Sequence, residues 1–166
     1  MTCLFSSCER SRLADWNYGS DYRNLMKILI AVDGSSYSSK AVKHVVKYCD
    51  WLQGKPELHV LHVTLPIPPG RARAFMEKET INDYYRKEAE VALAPAEKIL
   101  CKAGIPYVAS FKAGDTASEI DAYIRKNKIE MIVMGSHGHG ALQNVLMGSV
   151  TTKVLATTKI PALIIR

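Results

Sequence analysis

The chain reads as a single three-layer α/β/α domain on a five-stranded parallel sheet, and three observations predict it. From residue 27 onward, strand-type and helix-type hydrophobic periods alternate. The strand segments are short, nearly continuous apolar runs, the pattern of strands covered on both faces. Helical segments separate successive strands, as parallel pairing through right-handed crossovers requires.

Lys27-Ile28-Leu29-Ile30-Ala31-Val32-Asp33 is the first strand. Gly34-Ser35-Ser36 then supplies a turn and a helix N-cap. Ala41, Val42, Val45, Val46, Cys49 and Leu52, spaced by three and four, mark one apolar helical face, and Gly54 and Pro56 stop it. Leu58 to Thr64 forms the second strand, followed by a loop at Pro66, Pro68, Pro69 and Gly70. A second helical period runs from about Ile81 to Ala103, with a kink or break expected at Pro95, which lacks a backbone donor. Tyr107 to Lys112 is a third strand, and Thr116-Ala117-Ser118-Glu119 has the form of a capping box opening a third helix. Glu130 to Met134 and Ile160 to Ile165 complete the strands, with a short helix from about Ser149 to Thr157 between them.

Composition narrows the function classes. The 166 residues are 48% apolar and 23% charged, ordinary values for a globular chain and too apolar for low-complexity disorder. No apolar run approaches the roughly 18 residues of a membrane helix. The net charge of +6 comes from scattered Lys and Arg, not a cluster with stacking aromatics, so neither a nucleic-acid nor a membrane partner is expected. Cys3, Cys8, Cys49 and Cys101 form no C-x-x-C pair. Residues 1–25 lack the apolar core of a signal peptide and read as a poorly ordered extension, leaving 26–166 as the domain and the cytoplasm as the expected location.

Ligands of open parallel sheets bind beyond the carboxyl ends of the strands. The informative loop there is Gly135-Ser136-His137-Gly138-His139-Gly140, continuing to Gly148-Ser149-Val150-Thr151 at the start of the last helix. It is neither G-x-G-x-x-G nor a P-loop, for no lysine precedes Ser149. Its physics is similar. Glycines permit close approach or positive φ, a helix N-terminus offers free N–H groups, and Ser149 and Thr151 add hydroxyl donors for phosphate oxygens. From Met131 to Arg166 there is no carboxylate, which suits an anion. An ordinary glycine turn with a serine cap is the plainer alternative.

Gly135, two residues, Gly138, nine residues, then Gly148 and Ser149 resemble the nucleotide-binding signature of the universal stress protein family. Met26 to Ser35 is similar to that family's opening, and Ile160 to Ile165 to its closing strand. The resemblance implies sheet order 3-2-1-4-5 and a crevice flanked by Asp33 and Gly135. It implies ATP as ligand, with any Mg²⁺ carried by the nucleotide. Asp33 and Val63 would lie near the nucleoside, Met134 and Gly135 on the ribose side, and Gly138, Gly148, Ser149, Val150 and Thr151 around the phosphates. It also implies a homodimer through strand 161–166, whose Ala162 to Ile165 carries no charge to guard a sheet edge.

The leading expectation is an ATP-binding stress-response module without rapid turnover. A slow ATPase or related nucleotide-processing enzyme is the alternative, disfavoured by the absence of a metal-holding acidic cluster and of a P-loop lysine. A receiver domain would need an acidic pair after the first strand, where only Asp33 stands. His59 and His62, three apart in a strand, face opposite sides and make a poor metal pair. His137 and His139 lack a neighbouring Cys or carboxylate, and Arg71 and Arg73 read as a solvated loop.

Overall fold

A computed structural model describes residues 25–49, 56–68, 77–140 and 146–166. Along the chain run β1 (Lys27–Ala31), α1 (Ser36–Tyr48), β2 (Glu57–Thr64), α2 (Lys78–Ala103), β3 (Tyr107–Ala113), α3 (Thr116–Asn127), β4 (Met131–Gly135), α4 (Ser149–Thr157) and β5 (Ala162–Ile165). Residues 1–24, Leu52, Gly54, Pro69 to Arg73 and the stretch 141–145, on all of which expectations fell, lie outside the described residues.

Every strand pair is parallel, and the order is β3-β2-β1-β4-β5, as the family resemblance implied. The central β1 is buried on both faces, which is why its sequence does not alternate. Ile28, Ile30, Val60 and Val133 point to the layer that contains α1 and α2. Leu29, Leu61, Ile132 and Met134 point to the layer of α3 and α4. Two apolar cores therefore sit back to back across the sheet, and the chain crosses from one to the other once, after β3.

Local chemistry accounts for the element ends. Ser35 caps α1, its hydroxyl accepting the Ser38 N–H at 3.2 Å. Gly34 before it has φ +83°, and a Cβ there would stand 3.2 Å from the Ala92 Cα of α2, so the turn needs glycine twice over.

Three expectations are corrected. α2 runs unbroken through Pro95 from Lys78 to Ala103. Val91, whose carbonyl loses its donor there, is 76% exposed, so water can serve the orphaned oxygen. The cap of α3 is Asp115 rather than Thr116: the Asp115 carboxylate accepts from the Ser118 N–H at 3.1 Å and the Ser118 hydroxyl at 2.7 Å. Thr116 is thereby moved into the helix as its first residue. β5 also begins later than expected, at Ala162, since Ile160 and Pro161 only lead into it.

Candidate functional site

β1 neighbours β2 on one side and β4 on the other, so the crossovers leave their carboxyl ends in opposite directions and open a crevice there. Its volume is about 520 Å³, within the range of small-ligand sites. The structure brings together all the residues singled out from the sequence. Asp33 comes from the end of β1, Val63 from β2, and Met134 and Gly135 from β4. Gly138 belongs to the following loop, and Gly148, Ser149, Val150 and Thr151 bring the start of α4.

Asp33 is held firmly. Its carboxylate accepts the Ser35 N–H at 2.9 Å and the Ser38 hydroxyl, while the Ser38 oxygen accepts the Asp33 N–H at 3.0 Å. Burial pushes the carboxyl up, but these hydrogen bonds and the nearby His139 outweigh it and hold its pKa below the usual carboxylate value. Asp33 is an anion at neutral pH, suited to accepting ligand hydrogen bonds.

The glycine loop is pinned at both ends. The Ser136 N–H donates to Ile165 O at 2.7 Å, and the Ser136 carbonyl accepts the Gly148 N–H at 2.8 Å. His139 Nε2 lies 2.9 Å from Asp33 O, and since a carbonyl only accepts, that nitrogen carries the proton. His137 Nδ1 lies 3.0 Å from the Ser136 hydroxyl, and its ring is tilted against Tyr37 at 5.2 Å.

Glycine serves close approach here rather than unusual dihedrals. Gly148 has φ −66°, and among the described residues the glycines with positive φ are Gly34 and Gly104. A Cβ at Gly148 would stand 3.3 Å from His137 Cα, and one at Gly138 would run into the Asp33 carboxylate. At Gly135 it would lie 2.8 Å from the Tyr37 carbonyl carbon, where α1 crosses the end of β4.

The first turns of α1, α3 and α4 all border the crevice, through Ser38, Thr116 and Ser149. Ser35 and Asp115 cap the first two with their side chains, whereas α4 has Gly148 at its N-cap and no side-chain hydrogen bond. The Gly148 carbonyl takes the Thr152 N–H at 3.0 Å. The N–H groups of Ser149, Val150 and Thr151 precede any helical acceptor and lie at the positive end of the helix. An anion is the natural complement.

Thr151 requires a correction as a hydroxyl donor for phosphate. It is buried, and its hydroxyl donates to the Gly135 carbonyl at 3.0 Å, tying α4 to β4. Its backbone N–H remains available. Ser149, by contrast, is exposed.

Leu61, Val63, Leu65 and Ile120 give the crevice an apolar wall, and Thr116 lines it as well. Of these, sequence reasoning placed only Val63 at a ligand. Thr116 and Ile120 follow directly on the strand-end loop Gly114-Asp115, and that position was the signal available. His59 and His62 are both buried and alternate to opposite faces as expected. His59 sits between Glu57 Oε1 at 3.0 Å and the Tyr123 hydroxyl at 2.9 Å, and His62 Nδ1 is 2.9 Å from Val32 O.

A doubly wound α/β domain with a crevice at its switch point, lined by helix N-terminal donors and by apolar side chains, has the architecture of the nucleotide-binding α/β class. The sequence profile of the universal stress protein family matches residues 24–166, and the chain belongs to that family. Universal stress protein MJ0531 of Methanocaldococcus jannaschii is 29% identical over 140 residues, spanning 84% of this chain and 81% of its own. Among solved structures, UspA from Lactobacillus plantarum superposes with a TM-score of 0.71 at 21% identity, over 86% of this chain and 99% of that one. A universal stress protein from Archaeoglobus fulgidus solved in complex with dAMP gives 0.60 at 20% identity, over 85% and 98%. At these identities the structural likeness speaks to fold.

Proposed function

We propose that this protein binds ATP in the crevice between β1 and β4 and works in the cytoplasm as a homodimeric stress-response module whose output follows nucleotide occupancy. The observation that carries the reading is the unsatisfied first turn of α4. Three helix N-termini meet at the crevice, and the one left uncapped by its own chain faces the pinned glycine loop. Phosphates would lie on the N–H groups of Ser149, Val150 and Thr151 and against Gly138 and Gly148, the nucleoside extending past Met134 and Gly135 toward Asp33 and Val63. The dAMP complex of the Archaeoglobus protein supports an adenine nucleotide as occupant of this fold.

Asp33 is the one carboxylate among the described crevice residues, so Mg²⁺ would be held chiefly by the phosphates. The same scarcity disfavours fast hydrolysis, and the Asp33 carboxylate already accepts two hydrogen bonds from its own loop. The dimer reading rests on β5, a sheet-edge strand with Leu163 37% exposed.

Titration calorimetry with ATP and with adenosine tests the site. Binding of both is expected, ATP the tighter, and no heat at millimolar nucleotide with or without Mg²⁺ would end the reading. Sedimentation tests the dimer: the wild type should sediment as a dimer at micromolar concentration, and Leu163→Lys should shift it to monomer at unchanged melting temperature. A monomeric wild type removes that part.

A further inference from the structure

The crevice residues carry four side-chain hydroxyls in helices, and their states differ. Ser38 is engaged with Asp33, and Thr151 with the Gly135 carbonyl. The Ser149 and Thr116 hydroxyls make no hydrogen bond among the described residues, and both residues line the crevice. Ser149 belongs to the donors already assigned to phosphates.

Thr116 is less expected. Threonines within helices bond back to the preceding turn, as Thr152 does to Gly148 O at 3.0 Å and Thr157 to Lys153 O at 3.1 Å. As the first residue of α3, Thr116 has no preceding helical turn, and Asp115 already fills the cap. Thr116 is half-buried and its hydroxyl is left over from folding, in a crevice that Leu61, Val63, Leu65 and Ile120 also line.

A flat heterocycle suits that wall, but its in-plane nitrogen and amino groups would lose water there. An unmet polar group in such a place costs affinity. A hydroxyl, able to donate and accept, meets either kind of edge. We infer that Thr116 recognises the base: its hydroxyl hydrogen-bonds the polar edge of the heterocycle whose phosphates lie on α4. This rests on the nucleotide reading and adds a specificity residue to it.

The test compares wild type, Thr116→Val and Thr116→Ser by calorimetry with ATP, adenosine and tripolyphosphate, a probe with phosphates and no base. Valine keeps the shape and removes the hydroxyl. It should weaken ATP and adenosine by the same factor, roughly 2- to 12-fold, the value of one neutral hydrogen bond. Tripolyphosphate should bind the valine variant as it binds wild type, and serine should restore the nucleosides. An unchanged affinity of the valine variant for both nucleosides overturns the inference alone, and so does an equal loss for tripolyphosphate, which would mean that the whole crevice had shifted. A wild type that binds neither ATP nor adenosine overturns the nucleotide reading itself.

Discussion

Replacing Thr151 by valine should damage the fold and spare the ligand, while replacing Ser149 by alanine should do the reverse. The Thr151 hydroxyl donates to the Gly135 carbonyl at 3.0 Å in a residue only 4% exposed. Valine fits the same space, so the loss is one buried hydrogen bond and an acceptor left short of a donor, about 1–3 kcal/mol. For a domain of this size that lowers the melting midpoint by roughly 2–10 °C. The Thr151 N–H survives the change, so ATP affinity should fall by less than about threefold. Ser149 is exposed, and its alanine variant should melt within about 0.5 kcal/mol of wild type. It should nevertheless lose about 1.5–3 kcal/mol of ATP binding, the worth of a charge-assisted hydrogen bond. Urea melts and calorimetry on the two proteins decide. A Thr151→Val protein of full stability that no longer binds ATP would refute the assignment, because its hydroxyl would then be reaching phosphate and not Gly135.

Gly135→Ala would place a Cβ 2.8 Å from the Tyr37 carbonyl carbon, so α1 must retreat, and a destabilisation of about 1–3 kcal/mol is expected in urea; an unchanged midpoint contradicts that packing. The Asp33 carboxyl is depressed in the fold, so its contribution is present at neutral pH and is lost as pH falls below about 4. The melting difference between wild type and Asp33→Asn should therefore stay flat from pH 8 to 5 and shrink below pH 4, and a difference that grows on acidification has the wrong sign. For His59, desolvation outweighs the pull of Glu57 and keeps the imidazole below its ordinary pKa, so the 3.0 Å contact is a neutral N–H donating to carboxylate. The unfolded chain then takes up the proton first, stability falls as pH drops below about 6.5, and His59→Gln should flatten that loss; parallel pH profiles for the two proteins would rule it out.

Strands and helices are legible because burial marks the sequence: a spacing of three and four on the helices, and in β1, buried on both faces, an unbroken apolar run. Sheet order was not legible from periodicity, since an apolar run does not reveal its neighbour; the family resemblance supplied it. At Asp115 and Thr116 two adjacent residues both suit a cap, and the choice depends on where the chain leaves β3. The helix does not break at Pro95, because the tolerance of a helix for proline depends on whether water reaches Val91. At the site, the spacing of Gly135, Gly138, Gly148 and Ser149 located the crevice, but residue type alone could not distinguish the engaged hydroxyl of Thr151 from the free one of Thr116. That distinction lies in depth, which appears only once α4 is laid against β4.

Ser136 is a hinge-pin between two regions that are otherwise far apart in sequence. Its peptide groups grip Ile165 on the last strand and Gly148 at the head of α4. The rim of the sheet and the mouth of the crevice thus share Ser136, and displacing one disturbs an anchor of the other. An anion seated on α4 would brace the border strand from within, and a neighbour docked along that border would in turn steady the seat. Amide exchange at Ser136 and Gly148 is the natural gauge of that exchange of rigidity, slowing whichever of the two arrives first.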